Sequence, residues 1–364
     1  MTEGVSNYQI FCILFLGIAG FSLMGLPKVI AEHMGTGGWV SIILTAVIFT
    51  GVAYLHAYLA YNNKDKVFFD YSKKLIGSFL TFFFSIIYML YSFAAFTLMN
   101  RLVADIIMKI LLPNTPIWAI LLPMVLVVYF AVTRGLSNIG RLFEVTFFIV
   151  LPTMFFIHLI MFTQGEYVNI QPFFNASKIP DYIKGLQYTI IPFIGFELLT
   201  VIPVTKNNNK RLYRYVTLTP LAIASLYIYL LESVFSIVNT NEIVYYKDAL
   251  AVAIRRIDAP FLQFLRRLDS LFFLIWVLSV FSTLVIISYT TVTYTRKITG
   301  SNRGIIPFII FTASFFIGIM IPEYDQAEKM FDYIFTYFGV IPALIIPLIV
   351  LTAMKVKKND VKKI

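Results

Sequence analysis

The sequence predicts an all-α, polytopic membrane protein with about ten transmembrane helices. Of its 364 residues, 59% are hydrophobic and only 13% are charged, which is far from the composition of soluble domains. Apolar runs of about 18 to 25 residues recur along the chain, and each is long enough for a helix to cross a hydrocarbon core of about 30 Å. Nothing alternates like a barrel strand, and in lipid each backbone amide needs a partner within its own segment.

The predicted spans follow one another with short connections. They cover residues 7–31, 38–61, 78–100, 116–133, 139–162, 183–205, 211–237, 268–295, 304–321 and 330–353. The third is expected to continue as a helix to Leu112, and the first is too long for a cleaved signal peptide. No linker-like segment separates a second domain, so we expect one transmembrane domain over 1–364 with a basic tail at 354–364.

The formal net charge of +10 follows the connections between spans. Basic residues concentrate in alternate connections and in the tail, as in "KNNNKRLYR" and "KVKKNDVKK". This bias predicts that both termini are cytoplasmic, and anionic lipid at that face accounts for the charge without a nucleic-acid partner. The three histidines are far apart, Cys12 is the single cysteine, and no phosphate-binding glycine loop occurs. We therefore expect no metal, no cofactor and no enzymatic activity.

Two spans contain glycine and proline where an unbroken helix would be expected. The first holds "GIAGFSLMGLP" from Gly17 to Pro27, and the sixth holds "TIIPFIGFELLTVIP" from Thr189 to Pro203. They lie about half a chain apart, with five spans in each half, and an odd number of spans inverts the second half. The spacing predicts an inverted repeat of the LeuT type, with helices 1 and 6 broken, over about 7–162 and 183–353.

The sixth span predicts a ligand site at its break. Pro192 removes a backbone donor, and Gly195 tolerates the dihedral angles that follow. Freed N–H groups can hold a carboxylate, and freed carbonyls can hold an ammonium group or a cation. The candidate ligand-binding residues of this segment are Pro192, Phe193, Ile194, Gly195 and Glu197.

At these residues the sequence resembles the permease-like B subunit of the nutrient germinant receptors of spore-forming bacteria, the GerAB family. The resemblance runs over nearly the whole chain and rests on "GLSNIGRLFE", "FIGFELLTVIP", "RRLDSLFFLIWVLSVFSTLVIISY" and "PEYDQAEKMFDY". It implies a LeuT-like fold that senses a small nutrient, usually an amino acid. It also implies a place in the spore inner membrane with an A subunit and a lipoprotein C subunit.

The resemblance also implies where the ligand lies, between the first, third, sixth and eighth helices. The GerAB family is a branch of the amino acid, polyamine and organocation transporter superfamily. On the first helix, Gly20 falls on the first glycine of the G-x-G break of that superfamily, and Ser22 replaces the second. On the third, the hydroxyl group of Tyr91 can reach a carboxylate, while Ala95 leaves room for a side chain. The remaining candidates are Phe21 on the first helix and Ser279, Ser282 and Thr283 on the eighth, where small hydroxyl residues also serve helix packing.

Charged residues within or beside the spans have several interpretations. Glu197 lies near mid-membrane, where an acid contacts ligand, carries a proton or only holds the break in shape. Arg101, Asp105 and Lys109 recur at i, i+4 and i+8 and predict a solvated or partner-facing stripe. The region "KDALAVAIRRIDAPFLQFLRRLD" predicts two amphipathic helices divided at Pro260.

Three functions follow from these observations. The leading one is a nutrient germinant receptor subunit of bacterial spores, with an amino acid in the midplane pocket as the trigger. The alternative is a proton-coupled amino acid transporter that uses the same pocket. A scaffold, or a pathway for water and ions, is the third.

Overall fold

The computed structural model describes residues 4–205, 209–246, 248–257 and 268–362, and within these ranges the regular elements are helices, without a strand. The α-helices are α1 (Asn7–Ser22), α2 (Leu26–Met34), α3 (Trp39–Asn62), α4 (Phe68–Ile76), α5 (Ser78–Ile110), α6 (Ile117–Thr133), α7 (Leu136–Gln164), α8 (Ile179–Lys184), α9 (Leu186–Thr189), α10 (Leu212–Ile237), α11 (Thr240–Ile243), α12 (Ala249–Arg255), α13 (Leu268–Thr299), α14 (Ile305–Met320), α15 (Tyr324–Tyr333) and α16 (Ile346–Lys362).

The predicted fold class is confirmed. In the described chain, six helical stretches are long and apolar enough to cross a bilayer, and they cover Leu26–Asn62, Ser78–Ile110, Leu136–Gln164, Leu212–Ile237, Leu268–Thr299 and Tyr324–Lys357. Shorter apolar stretches cover Asn7–Ser22, Ile117–Thr133, Leu186–Val201 and Ile305–Met320. Every predicted span overlaps these helical stretches, and the third runs on to Ile110, close to the expected Leu112.

Helices at equivalent positions of the two halves pack against each other. The second helices, α3 and α10, form one pair, the third helices, α5 and α13, form another, and α6 packs on α14. Such pairing follows when two inverted halves are related by a two-fold axis in the membrane plane. The broken spans lie inside this frame: α1 packs on α13, on α10 and on residues 191–193 and 196–201 of the sixth span. The exact repeat boundaries stay predictions.

The tenth span is irregular, which the apolar pattern did not predict. Two π-helical turns, Ile334–Phe338 and Ile341–Ile345, separate α15 from α16. Pro347 has no N–H, so carbonyl groups one turn earlier lose their helical donor. The imidazole Nε2 of His56 on α3 lies 2.9 Å from the Ala343 carbonyl oxygen, and the Tyr88 hydroxyl donates to Pro342 O at 3.0 Å. Helices α3 and α5 thereby hold the interrupted segment.

The charged stripe on α5, predicted to be solvated or partner-facing, is buried at Arg101 and Asp105, whereas Lys109 is exposed as expected. Arg101 is 4% exposed and Asp105 is 2% exposed, and the two form a buried ion pair. Arg101 Nε also donates to the Ile321 carbonyl oxygen at 3.1 Å, where α14 has ended. The third helix is therefore enclosed at this end, and its arginine binds the connection that leads into α15.

The long connection before α13 contains a helix where the first amphipathic piece was predicted. Four apolar residues of α12 are buried as expected: Ala249, Leu250, Ala253 and Ile254. The second piece, around Pro260 and residues 261–267, lies outside the described residues. Beside α12, Arg256 Nη1 donates to Glu242 Oε2 at 2.9 Å. Hydrogen bonds from Arg256 and from Tyr246 lower the pKa of Glu242.

Candidate functional site

The sixth span loses its α-helical form in the middle of the bundle. After α9 the chain makes two 3₁₀ turns, Ile191–Phe193 and Phe196–Val201, with Ile194 extended between them. Gly195 has φ 147°, a conformation that L side chains rarely adopt. A Cβ atom there would also come within 2.5 Å of Ile18 Cγ1 on α1. The glycine is therefore required both by its own backbone and by the close approach of the first helix.

The first span is broken one turn later than expected. The resemblance placed the break at Gly20 to Ser22, but α1 continues through Ser22, and only Leu23–Gly25 separate it from α2. Pro27 near the start of α2 has no N–H to bond the preceding turn, so the helix is interrupted just before it. The placement of the break at Gly20 was wrong, while the expectation of a broken first helix is confirmed.

A central cavity of about 30 Å³ lies between α1, the break of the sixth span, α5, α13 and the tenth span. This is about the volume that one water molecule occupies in the liquid. The residues that line it include six of the predicted ligand-binding residues: Ser22, Tyr91, Ala95, Ile194, Gly195 and Glu197. The structure thus brings together candidates from the first, third and sixth helices.

Glu197 is the acidic residue of this cavity, and it is 5% exposed. Its Oε2 has no hydrogen-bond partner. One carboxylate oxygen is therefore left for another group.

Two tyrosines of α5 lie beside Glu197 in the cavity wall. The Tyr91 hydroxyl is buried and has no partner, and its ring lies 5.4 Å from that of Phe335. Tyr88 stacks on Tyr294 of α13 with ring centroids 5.1 Å apart, and its hydroxyl is already used by the Pro342 carbonyl. Of the two, Tyr91 is the one that offers a free hydroxyl to the cavity.

Five predicted residues line neither this cavity nor the vestibule described below: Gly20, Phe193, Ser279, Ser282 and Thr283. Gly20 instead lets α1 approach α13, because a Cβ there would come within 2.6 Å of the Ser279 carbonyl oxygen. Thr283 donates to the Leu16 carbonyl oxygen at 2.8 Å. In this conformation these residues serve helix packing, and ligand contact by them stays a prediction.

A larger vestibule of about 440 Å³ adjoins the cavity on the side of α2 and α15. Two more predicted residues, Phe21 and Pro192, line it, together with the acidic side chains of Asp248, Glu328 and Asp332. Phe331 lines both spaces and stacks on Phe335 with centroids 4.1 Å apart. Sequence reasoning missed Phe331, because one phenylalanine among 36 carries no signal of such a position.

The opposite end of the bundle, which carries both chain termini, is tied by polar contacts. Lys297 Nζ on α13 bonds both carboxylate oxygens of Asp70 on α4 at 2.7 and 2.8 Å. The Tyr294 hydroxyl donates to Thr200 Oγ1 at 2.9 Å, which joins α13 to the sixth span. The central cavity shares Ser22, Ile191 and Phe331 with the vestibule. In this state the central cavity is therefore closer to the vestibule side of the bundle than to the end that carries the chain termini.

No group of three or more potential metal ligands occurs in the part of the chain that the structure describes.

Comparison with known proteins finds relatives among spore germination proteins. A sequence model described as "Spore germination protein" matches residues 4–328. Spore germination protein YndE of Bacillus subtilis (strain 168) is 23% identical over 314 residues, which is 85% of this chain and 86% of YndE. Spore germination protein A2 of the same strain is 22% identical over 99% of this chain and 98% of its own. GerLB of Bacillus cereus is 23% identical, with 98% and 96% covered.

Solved structures with the same fold are transporters. A manganese transporter of Eremococcus coleocola superposes with a TM-score of 0.63 at 12% identity, over 93% of this chain and 78% of that one. A nucleobase-cation-symport-1 family transporter, solved closed with bromovinylhydantoin bound, gives 0.62 at 9% identity, over 90% and 75%. These similarities establish the shared 5+5 architecture.

Proposed function

The chain belongs to the spore germination protein family, and we propose that it is a nutrient germinant receptor subunit whose central cavity binds a small amino acid. The coarser assignment, a permease-like germination protein with a transporter fold, follows from the family and the structural neighbours. The finer proposal places it in the spore inner membrane, with cytoplasmic termini and with A and C subunits as partners. It assigns binding and no catalysis.

The observation that carries the proposal is a pair of unsatisfied polar atoms in one buried cavity. Glu197 Oε2 and the Tyr91 hydroxyl both lack a partner, and both residues line the space between the broken helices. A buried polar group without a partner costs about 1 to 3 kcal/mol. An amino acid could satisfy both atoms, with its ammonium group at Glu197 and its carboxylate at Tyr91.

The size of the cavity fits a sensor that changes state. A volume of about 30 Å³ is too small for an amino acid, so binding requires a wall to move. Phe331 separates the cavity from the vestibule and is carried by α15, next to a π-helical turn. A ligand that binds only after Phe331 has moved stabilises the opened state. The shift in the equilibrium is set by the difference between the ligand's binding free energies for the opened and closed states.

A binding experiment tests the proposal. Purified protein in nanodiscs is titrated with labelled amino acids, and spores that carry the same variants are tested for germination. Ala95→Phe fills the cavity and is expected to raise the half-saturating concentration at least tenfold, about 1.4 kcal/mol. Ala176→Phe introduces the same side chain at an exposed position and is the matched control. A folded Ala95→Phe protein that binds and germinates as the wild type does would contradict the proposal.

A proton-coupled amino acid transporter is the second candidate, and the buried, titratable Glu197 at the break favours it. A transporter would accumulate labelled amino acid in proteoliposomes under an imposed proton gradient, and Glu197→Gln would abolish the accumulation. A pure receptor would bind the amino acid without accumulating it. A scaffold without ligand specificity would do neither, and Ala95→Phe would leave its nutrient response unchanged.

A further inference from the structure

A third space lies on the side of the protein, away from the central cavity and from the vestibule. It is a groove of about 560 Å³ between α3 and α16. Its apolar walls are formed by Ile48, Val52, Leu55, Leu344, Leu348 and Leu351. Gly51 also lines it, and a Cβ atom at Gly51 would meet no other atom within 4 Å. The absence of a side chain at this glycine helps to leave the space open.

The groove is as long as one leaflet of a bilayer. Along α3 it extends from Ile48 to Tyr58, and along the tenth span it extends from Leu344, in the π-helical turn before α16, to Lys355 in α16. At a rise of about 1.5 Å per helical residue each wall is about 15 Å long, half of a hydrocarbon core of about 30 Å. A transmembrane helix of a partner would need a surface along the whole span, whereas an acyl chain needs only one leaflet.

The end of the groove nearest the chain termini is polar and basic. Lys355 lines it and has no ion-pair partner among the described residues. Tyr54 and Tyr58 stack with ring centroids 6.3 Å apart, and Tyr54 lies 5.4 Å from Tyr213. Tyrosine is typical of the headgroup level of a membrane, and basic side chains there attract anionic lipid. The apolar length and the basic end match the two parts of an anionic phospholipid.

We propose that this groove binds one anionic phospholipid of the leaflet on the side of the chain termini, with an acyl chain between α3 and α16 and the headgroup at Lys355. The site is independent of the amino acid cavity and of whether that cavity senses or transports. It adjoins the place where His56 of α3 reaches the Ala343 carbonyl oxygen. A lipid between α3 and α16 supports the same contact from the membrane side.

Native mass spectrometry tests the site on the purified chain. The protein is equilibrated in nanodiscs of equal phosphatidylglycerol and phosphatidylethanolamine, released into mild detergent, and the retained lipids are identified. We expect one retained phosphatidylglycerol, preferred about fivefold, as one basic residue near the surface provides. Gly51→Phe fills the groove and should abolish retention. Lys355→Glu should reduce the preference to about one.

Lys66→Glu is the matched control, because it makes the same charge change at an exposed residue of the same end outside the groove. It should keep the fivefold preference. Equal retention of both lipids by the wild type, or unchanged preference in Lys355→Glu, would overturn the proposal even if Gly51→Phe fails to fold. A photo-cross-linker at Tyr54 that captures a protein helix in spores rather than lipid would overturn it as well.

Discussion

The two broken spans differ in how much helix each gives up and in what holds the gap. In the first span only Leu23–Gly25 interrupt the helix. In the sixth, α-helix is absent from Ile190 to Val201, and two 3₁₀ turns take its place. The first break therefore resembles a hinge beside the vestibule, whereas the second is an extended irregular segment in the centre of the protein.

Side chains from neighbouring helices support the sixth span at several points. The Tyr227 hydroxyl of α10 donates to the Pro192 carbonyl oxygen at 3.0 Å. Thr200 donates to the Glu197 carbonyl oxygen at 2.5 Å and accepts from Tyr294 of α13 at 2.9 Å. Irregular backbone in a membrane is stable only when its polar groups find such partners. The break that carries the acidic residue is thus the one that the surrounding helices have to maintain.

The largest difference in stability between the two breaks is expected when one methyl group is added to each. Gly195→Ala forces a side chain into φ 147° and against Ile18, and we expect it to lower the free energy of unfolding by about 2 kcal/mol or more. Gly25 has φ −90° and open space around its Cβ position, so Gly25→Ala should stay within about 0.5 kcal/mol. Unfolding in mixed micelles measures both. Equal losses would mean that the two breaks are equally constrained.

The sequence predicts a break where its residues differ in type from the apolar residues around them and have no second structural use. Proline, glycine and glutamate occur together within one apolar run, a combination that an unbroken helix in lipid disfavours, so the sixth break was placed correctly at Gly195. Gly20 misled because glycine also permits close helix packing, here against Ser279, and the two uses look alike in one sequence. The break fell instead before Pro27, where the missing N–H decides it.

The buried ion pair and the aromatic residue that lines both cavities could not be predicted for related reasons. An i, i+4 pair such as Arg101 and Asp105 has the same pattern whether water or protein surrounds it. Phe331 is one of many aromatic residues that face lipid, core or cavity equally well by composition. What distinguishes these residues is their contacts with distant parts of the chain, namely Ile321 for Arg101 and Phe21 for Phe331.

A smaller effect is expected where one side chain supports the sixth break. Tyr227→Phe leaves the buried Pro192 carbonyl without its donor, which should cost about 1 to 2 kcal/mol of unfolding free energy. Tyr229→Phe is the matched control: its hydroxyl donates to the Phe155 carbonyl oxygen, but that carbonyl lies inside α7 and keeps its helical donor, so the loss should be small. If both substitutions were neutral in the same unfolding assay, the sixth break would be held by packing rather than by this hydrogen bond.

The smallest effect is expected at the first span, and a pair of threonines measures it. Thr283→Val removes the bond to the Leu16 carbonyl oxygen, but that carbonyl lies inside α1 and keeps its helical donor, so the loss should be about 0.5 kcal/mol or less. Thr200→Val leaves the buried Tyr294 hydroxyl without its acceptor and removes the side-chain donor to the Glu197 carbonyl, and should cost about 1 kcal/mol or more. A larger loss of stability for Thr283→Val than for Thr200→Val would contradict the conclusion that the sixth span depends more on side-chain hydrogen bonds than the first. The first span, which keeps its helical backbone bonds, would then be the one that needs side-chain support.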